Sequence, residues 1–317
     1  MSFQTLNYPS HKLCYVKPYR TLHKTRSNRV LAMPPSTILW QTNESGSGSN
    51  RAWTSKISSN TVINLPNTVG IIGGLSENAT LRFLRKLVPS GSKDGSNIPY
   101  LLCSDPVLSK DLLLYEKSSL PALNRKRTEL DTSLIVENLR SKRVFLENSG
   151  ARCIVMPCHL SHAWYEEISE GSSVPFLHMG ECVARQLKQA NLSPIDAGSP
   201  LRFGVLATNA TLTAGIYQEK LWNEGFEVVV PDIATMEHTV VPAIEAVERN
   251  DREGGRTLCR IALQVLLVRA VNSIILASDD LRDLLPHNDH LLLKCVDPMD
   301  ALALSTIKWA QAAGKGI

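Results

Sequence analysis

Apolar positions in this chain come in short unbroken runs, each ending at a small or polar residue and followed by a stretch with helical spacing. Val69-Gly70-Ile71-Ile72, Ile98 to Cys103 and Arg152 to Met156 are such runs in the first half. Phe203-Gly204-Val205-Leu206, Glu227 to Pro231 and Ile274-Ile275-Leu276-Ala277 are their counterparts in the second. Unbroken apolar runs bounded by turn residues predict strands covered on both faces, as in parallel sheets between helices. Between them, Ser133 to Ser149 predicts a helix stopped at Gly150. A long helix is predicted near Arg256 to Val271, where Leu258, Ile261, Ala262, Val265 and Leu266 recur on one face.

The order strand, helix, strand, helix occurs twice. Val174 to Met179 and Cys295 to Met299 are short strand-like segments that close the two halves. The expected fold is therefore α/β, with two pseudo-symmetric doubly wound α/β lobes and the active-site cleft between them. The expected boundaries are residues 67–180 plus 297–317 for the first lobe and 181–296 for the second. Ligands bind beyond the carboxyl ends of parallel strands, so residues just after the strands are where chemistry is sought.

Two of those strand ends carry candidate groups. Ile154-Val155-Met156-Pro157-Cys158 delivers a thiol to a polar loop that opens a helix, a position where the helix dipole and free N–H groups favour the thiolate. The other assignment for Cys158 is a buried core cysteine. In the second half the corresponding place is taken by Ser278, followed by Asp279 and Asp280. His162, four residues after Cys158, is a candidate for keeping the thiolate ionised, or else an ordinary loop-to-helix histidine.

From about Asn67 onward the chain resembles the cofactor-independent aspartate/glutamate racemase family. The resemblance rests on Val69-Gly70-Ile71-Ile72-Gly73-Gly74, on Ile154 to Cys158 with Ser161-His162-Ala163, on Leu206-Ala207-Thr208 with Ala214-Gly215-Ile216-Tyr217, and on Val296-Asp297-Pro298-Met299-Asp300. It implies an isomerase that needs no pyridoxal phosphate or other cofactor and acts on a small amino acid, with two cysteines flanking the substrate α-carbon. Cys158 matches the first. Ser278 stands where the second would be, in Ala277-Ser278-Asp279-Asp280 instead of the usual Gly-Cys-Thr-Glu. A serine hydroxyl is far too weak an acid to replace a thiol unaided. Three outcomes stay open: a relay through Ser278 from Asp279 or Asp280, a one-sided enzyme working with Cys158 alone, or a non-catalytic amino-acid-binding protein.

The resemblance also implies substrate holders at Gly73, Gly74, His159 and Thr208, with Asp279 beside Ser278. His159-Leu160 replaces the family's Asn-Thr after the cysteine. Acids near these positions, with Glu237 where a lysine is usual, fit a neutral or basic substrate better than an acidic one. Helix capping or solvent exposure is the alternative for Asp279, Asp280 and Glu237.

The first 43 residues hold six basic residues, Lys12, Lys17, Arg20, Lys24, Arg26 and Arg29, and no Asp or Glu. With the Ser-Gly stretch at 45–49, residues 1–66 are expected to be a targeting segment and flexible linker. Resemblance to plant-type family members favours the chloroplast, with the mitochondrion or cytoplasm as alternatives. Without those six residues the formal charge falls from +4 to 28 basic against 30 acidic groups, so no nucleic-acid-binding face is expected. No apolar run is long enough for a membrane span. Seven scattered cysteines do not suggest a disulfide framework, and Cys158, His159, His162, His178 and Cys182 match no zinc spacing, so no metal site is expected. A homodimer is left open.

Overall fold

The computed structural model describes residues 65–88, 98–119, 131–195 and 198–314. The expected targeting segment and linker, apart from Leu65 and Pro66, lie outside the described residues, as does the polar loop at Ser92 to Gly95.

The first half runs β1 (Val69–Ile72), α1 (Glu77–Leu87), β2 (Tyr100–Cys103), α2 (Pro106–Ser118), α3 (Ser133–Asn148) and β3 (Cys153–Val155). A 3₁₀ turn (Leu160–Trp164) then leads into α4 (Tyr165–Ser169), β4 (Phe176–Leu177) and α5 (Met179–Gln189). The second half runs β5 (Arg202–Ala207), α6 (Asn209–Thr213), α7 (Gln218–Asn223), β6 (Glu227–Val229) and α8 (Ile233–Thr235), which passes through a π turn (Met236–Val240) into α9 (Val241–Glu248). There follow α10 (Arg252–Val268), β7 (Ser273–Ala277), α11 (Asp279–Leu284), a 3₁₀ turn (His290–Lys294), β8 (Cys295–Val296) and α12 (Pro298–Gly314).

The strands form two four-stranded sheets, ordered β2-β1-β3-β4 and β6-β5-β7-β8, with every pairing parallel. The same order in both halves is the two-lobed α/β repeat that the apolar pattern predicts. Register makes the repeat exact at the centre. Gly70 of β1 lies opposite Ile154 of β3, and Gly204 of β5 lies opposite Ile274 of β7. A Cβ on Gly70 would come within 2.7 Å of Ile154 Cδ1 and 3.2 Å of Leu146 Cβ; one on Gly204 would come within 3.1 Å of Ile274 Cγ1 and 3.5 Å of Leu266 Cδ1. In each lobe, then, a missing side chain lets the preceding helix, α3 or α10, settle onto the sheet.

Helix ends follow from capping chemistry. Ser76 accepts a hydrogen bond from the Ala79 N–H at 3.2 Å to start α1, and Gly150, at φ 106°, stops the chain just after α3. The predicted helix near 256–271 actually starts at Arg252, capped by Asp251, which accepts from the Gly254 N–H at 2.9 Å. Gly254 and Gly255 are poor helix formers and disguise that start. It ends at Val268, short of the predicted Val271, since Ala270 takes φ 57° and cannot continue the helix.

A single buried cluster draws on both sheets. Val69 and Val155 from the first meet Phe203 and Ile275 from the second, along with Met299 and Leu302 of α12. Helix α12 leaves the second sheet and packs against α5 and α1. Ion pairs reinforce this closure. Arg82 and Lys86, one turn apart on α1, face acids of the second half: Arg82 pairs with Asp279 and Asp283 of α11, and Lys86 with Asp297 and, on α12, Asp300.

Candidate active site

Counting from the paired Gly and Ile positions places four residues at equivalent points around the cleft. Gly74 and Thr208 lie four residues past Gly70 and Gly204, and Cys158 and Ser278 four past Ile154 and Ile274. Cys158 and Ser278 line one cavity of about 500 Å³, and Thr208, His159 and Asp279 share its wall.

Cys158 is buried, and its Sγ lies 3.4 Å from the Leu75 N–H. Loss of solvent pushes the thiol above its ordinary pKa, while the hydrogen bond from Leu75 and the nearby Ser161 pull it down and the Asp279 charge pushes it up. The sequence argument for an easily ionised thiol is thus corrected: what opens beyond Cys158 is a 3₁₀ turn and not a long helix, and desolvation outweighs its few N–H groups. Nor does His162 serve the thiol. Its Nε2 lies 3.0 Å from the Met156 carbonyl oxygen, its ring lies against His178 and Tyr165, and burial keeps it neutral.

The two glycines act differently from the expected carboxylate holders. Gly73 donates its N–H to the Cys103 carbonyl at 2.8 Å, so that donor is already used. At Gly74 a Cβ would sit 2.2 Å from Cys158 Cβ and 2.5 Å from its Sγ, so this glycine makes room for the cysteine. Neither lines the cavity; Leu75 and Ser76 do.

On the opposite side, Ser278 and Thr208 are helix caps. Ser278 accepts from the Leu281 N–H at 3.5 Å and Thr208 from the Thr211 N–H at 3.4 Å. Asp279 is held by Arg82, with His159 Nε2 at 3.8 Å from its Oδ1, and these partners keep it ionised against the penalty of burial, below the ordinary carboxylate pKa. His159 Nδ1 lies 2.6 Å from the Tyr217 hydroxyl, which fixes the imidazole with its Nε2 toward Asp279. Asp280 differs: burial and repulsion from Asp279, Asp283 and Glu248 push its carboxyl up. Among the capping and exposure alternatives, Glu237 is exposed and absent from the cavity, whereas Asp279 and Asp280 face it.

Glu116 of α2 was not legible in the sequence. It lines the cavity with Thr208, and burial together with repulsion from Asp280 and Asp279 pushes its pKa up to about 7. A lone glutamate on a helix carries no sequence signal of this kind, and the same holds for Arg82. Among the described residues no group of His, Cys, Asp and Glu is arranged to hold a metal ion. No described helix is long and apolar enough to cross a membrane.

Two parallel lobes with a cysteine at one strand end, and a serine at the equivalent strand end lining the same cavity, define a pseudo-symmetric α/β fold with a pair of equivalent positions at one site. The comparisons give that class a family. The model of the Asp/Glu/hydantoin racemase family matches residues 72–306, and the chain belongs to this family. It is 24% identical over 245 residues to the broad specificity amino-acid racemase RacX of Bacillus subtilis, covering 75% of this chain and 96% of that one. Among solved structures it is similar to the Picrophilus torridus aspartate racemase, at 25% identity and TM-score 0.59, covering 77% of this chain and 94% of that one. An aspartate racemase homologue from Pyrococcus horikoshii OT3, at 18% identity and TM-score 0.60, shares the fold over 77% of this chain and 99% of its own.

Proposed function

We propose that the protein is a cofactor-independent amino-acid racemase in which Cys158 exchanges a proton with the substrate α-carbon. The observation that carries this proposal is the register equivalence of Cys158 and Ser278 across one cavity. Cys158 serves one face of the α-carbon: its thiolate takes the α-proton, or its thiol returns one to the carbanion. The second face needs a titrating group that Ser278 does not supply. Asp279 is engaged by Arg82 and held as a carboxylate, which makes it a poor base. Asp280, raised by its surroundings and also in the cavity wall, is the group we assign to pass a proton through the Ser278 hydroxyl. The substrate α-ammonium helps the first step, since a positive charge beside Cys158 favours the thiolate.

Proton NMR in D₂O with a panel of L- and D-amino acids tests this. Loss of the α-proton signal with accumulation of the opposite enantiomer is expected for the native protein, and no loss for Cys158→Ala. Asp280→Asn is expected to lose enantiomer formation and keep exchange with retained configuration. If native protein gives only exchange with retention, Cys158 works alone and one-sidedly. If no amino acid loses its α-proton in a Cys158-dependent way, the racemase assignment falls.

The basic N-terminal stretch is proposed to direct the protein to the chloroplast. Residues 1–66 fused to a fluorescent reporter should follow plastids in a plant cell; mitochondrial or cytosolic fluorescence would reassign it.

A further inference from the structure

The mouth of the cavity is built from one face of α2 and one face of α9. Helix α2 presents Leu113, Glu116 and Lys117, and α9 presents Val241, Ile244, Glu245 and Glu248, spacings that put each set along a single helical stripe. Each stripe joins aliphatic residues to carboxylates. The cations nearby are committed: Lys117 lies 3.1 Å from Glu248, Arg249 lies 3.3 Å from Glu245, and Arg82 is turned to Asp279 and Asp283. Among the described residues neither Glu116 nor Asp280 has an ion-pair partner.

Resting on the racemase assignment above, we infer that the preferred substrate carries a second positive charge at the end of an aliphatic side chain, as a diamino or guanidino amino acid does. The methylenes lie along Leu113, Val241 and Ile244, and the terminal cation meets Glu116 at the mouth. A second carboxylate on the substrate would instead face Glu116, Asp280 and Glu248 with no uncommitted lysine or arginine among the described residues to receive it. A purely aliphatic side chain would fill the same space and leave Glu116 without a counter-charge. The upward displacement of Glu116 is the direction expected of a buried carboxylate that lacks a cation, and a bound terminal ammonium would reverse it.

The test compares lysine and ornithine with norleucine, which keeps the aliphatic chain and the α-ammonium but lacks the terminal charge, and with aspartate and glutamate. Rates of α-proton exchange in D₂O are measured on the full chain. The expected result is a kcat/KM for lysine or ornithine about tenfold or more above those for norleucine and aspartate. Glu116→Gln, and to a smaller extent Glu248→Gln, should shrink the lysine-to-norleucine ratio. Norleucine or aspartate exchanging as fast as lysine in the native protein overturns the inference while leaving the racemase assignment standing. So does a ratio unmoved by Glu116→Gln. Absence of Cys158-dependent exchange with every amino acid removes the racemase assignment itself, and the inference with it.

Discussion

Gly74 and Cys158 show how little room the reactive centre leaves. A methyl group at position 74 would overlap Cys158 Cβ and Sγ, at 2.2 and 2.5 Å, and the cysteine would have to move. Gly74→Ala is therefore expected to lower Cys158-dependent exchange by about two orders of magnitude, because a misplacement of about 1 Å at a reacting atom costs that much. It should also destabilise the fold by about 1–3 kcal/mol through overpacking, which a urea titration would measure. An unchanged exchange rate would show that the site absorbs the displacement of Cys158 without losing its geometry. The glycine was visible in the sequence as part of a motif, but its physical reason was not. Chain spacing cannot say whether a glycine admits a substrate or a neighbouring side chain, and here the neighbour, 84 residues further on, decides.

Helix α1 is the element that ties the lobes electrostatically, with Arg82 and Lys86 reaching acids of α11, of α12 and of the turn before it. Arg82→Ala would leave Asp279, a largely buried carboxylate, without its arginine and with only the His159 ring, 3.8 Å away, beside it. The expected cost is about 2 kcal/mol, less than for a fully buried pair because both side chains keep some solvent contact. The folded-state pKa of Asp279 lies below its unfolded value, so its stabilising contribution is complete above the unfolded pKa and is lost as pH falls through the folded one. Native protein should thus lose more stability than Arg82→Ala between pH 5 and about pH 2, and guanidinium titrations at the two ends would show the curves converging. Parallel curves would mean the pair does not stabilise the fold. Strands β1, β3, β5 and β7 were readable from unbroken apolar runs because burial on both faces leaves no alternative residue choice. The beginning of α10 was not, because its glycines serve close packing: a Cβ at Gly255 would meet Leu284 at 2.9 Å. Glu116 and Arg82 were hidden for a related reason, since a charged residue on an amphipathic helix normally faces water and only the opposing lobe turns it inward.

At the scale of the molecule, two copies of one topology enclose a site whose two halves differ chemically. Ser278→Cys exchanges a single atom at the position equivalent to Cys158. It should raise the rate at which the opposite enantiomer appears, at a stability cost of about 1 kcal/mol for a weaker helix cap. Chiral chromatography of the reaction mixture would measure it. Enantiomer formation unchanged or reduced would mean that the second face is served from elsewhere in the cavity. The two-lobed plan and the places of Cys158 and Ser278 were recoverable from sequence because strand ends repeat with a fixed interval. The acidic mouth was not, because α2 and α9 are distant in the chain and approach each other only after both lobes have folded.

On the proposed racemase mechanism, the unlike strand ends would also give the free protein a memory of its last turnover. With a thiol on one side and a hydroxyl backed by a carboxyl on the other, the proton distribution that accepts one mirror form is not the distribution left behind when its product departs. Burial pushes the Cys158 thiol up, in the direction of the form that holds its proton. On that mechanism each conversion in one direction would have to be followed by a proton exchange with water before it could be repeated. The proposed mechanism therefore predicts that at high substrate concentration this resetting step sets the pace, with forward and reverse progress curves of different shape approaching the same equilibrium.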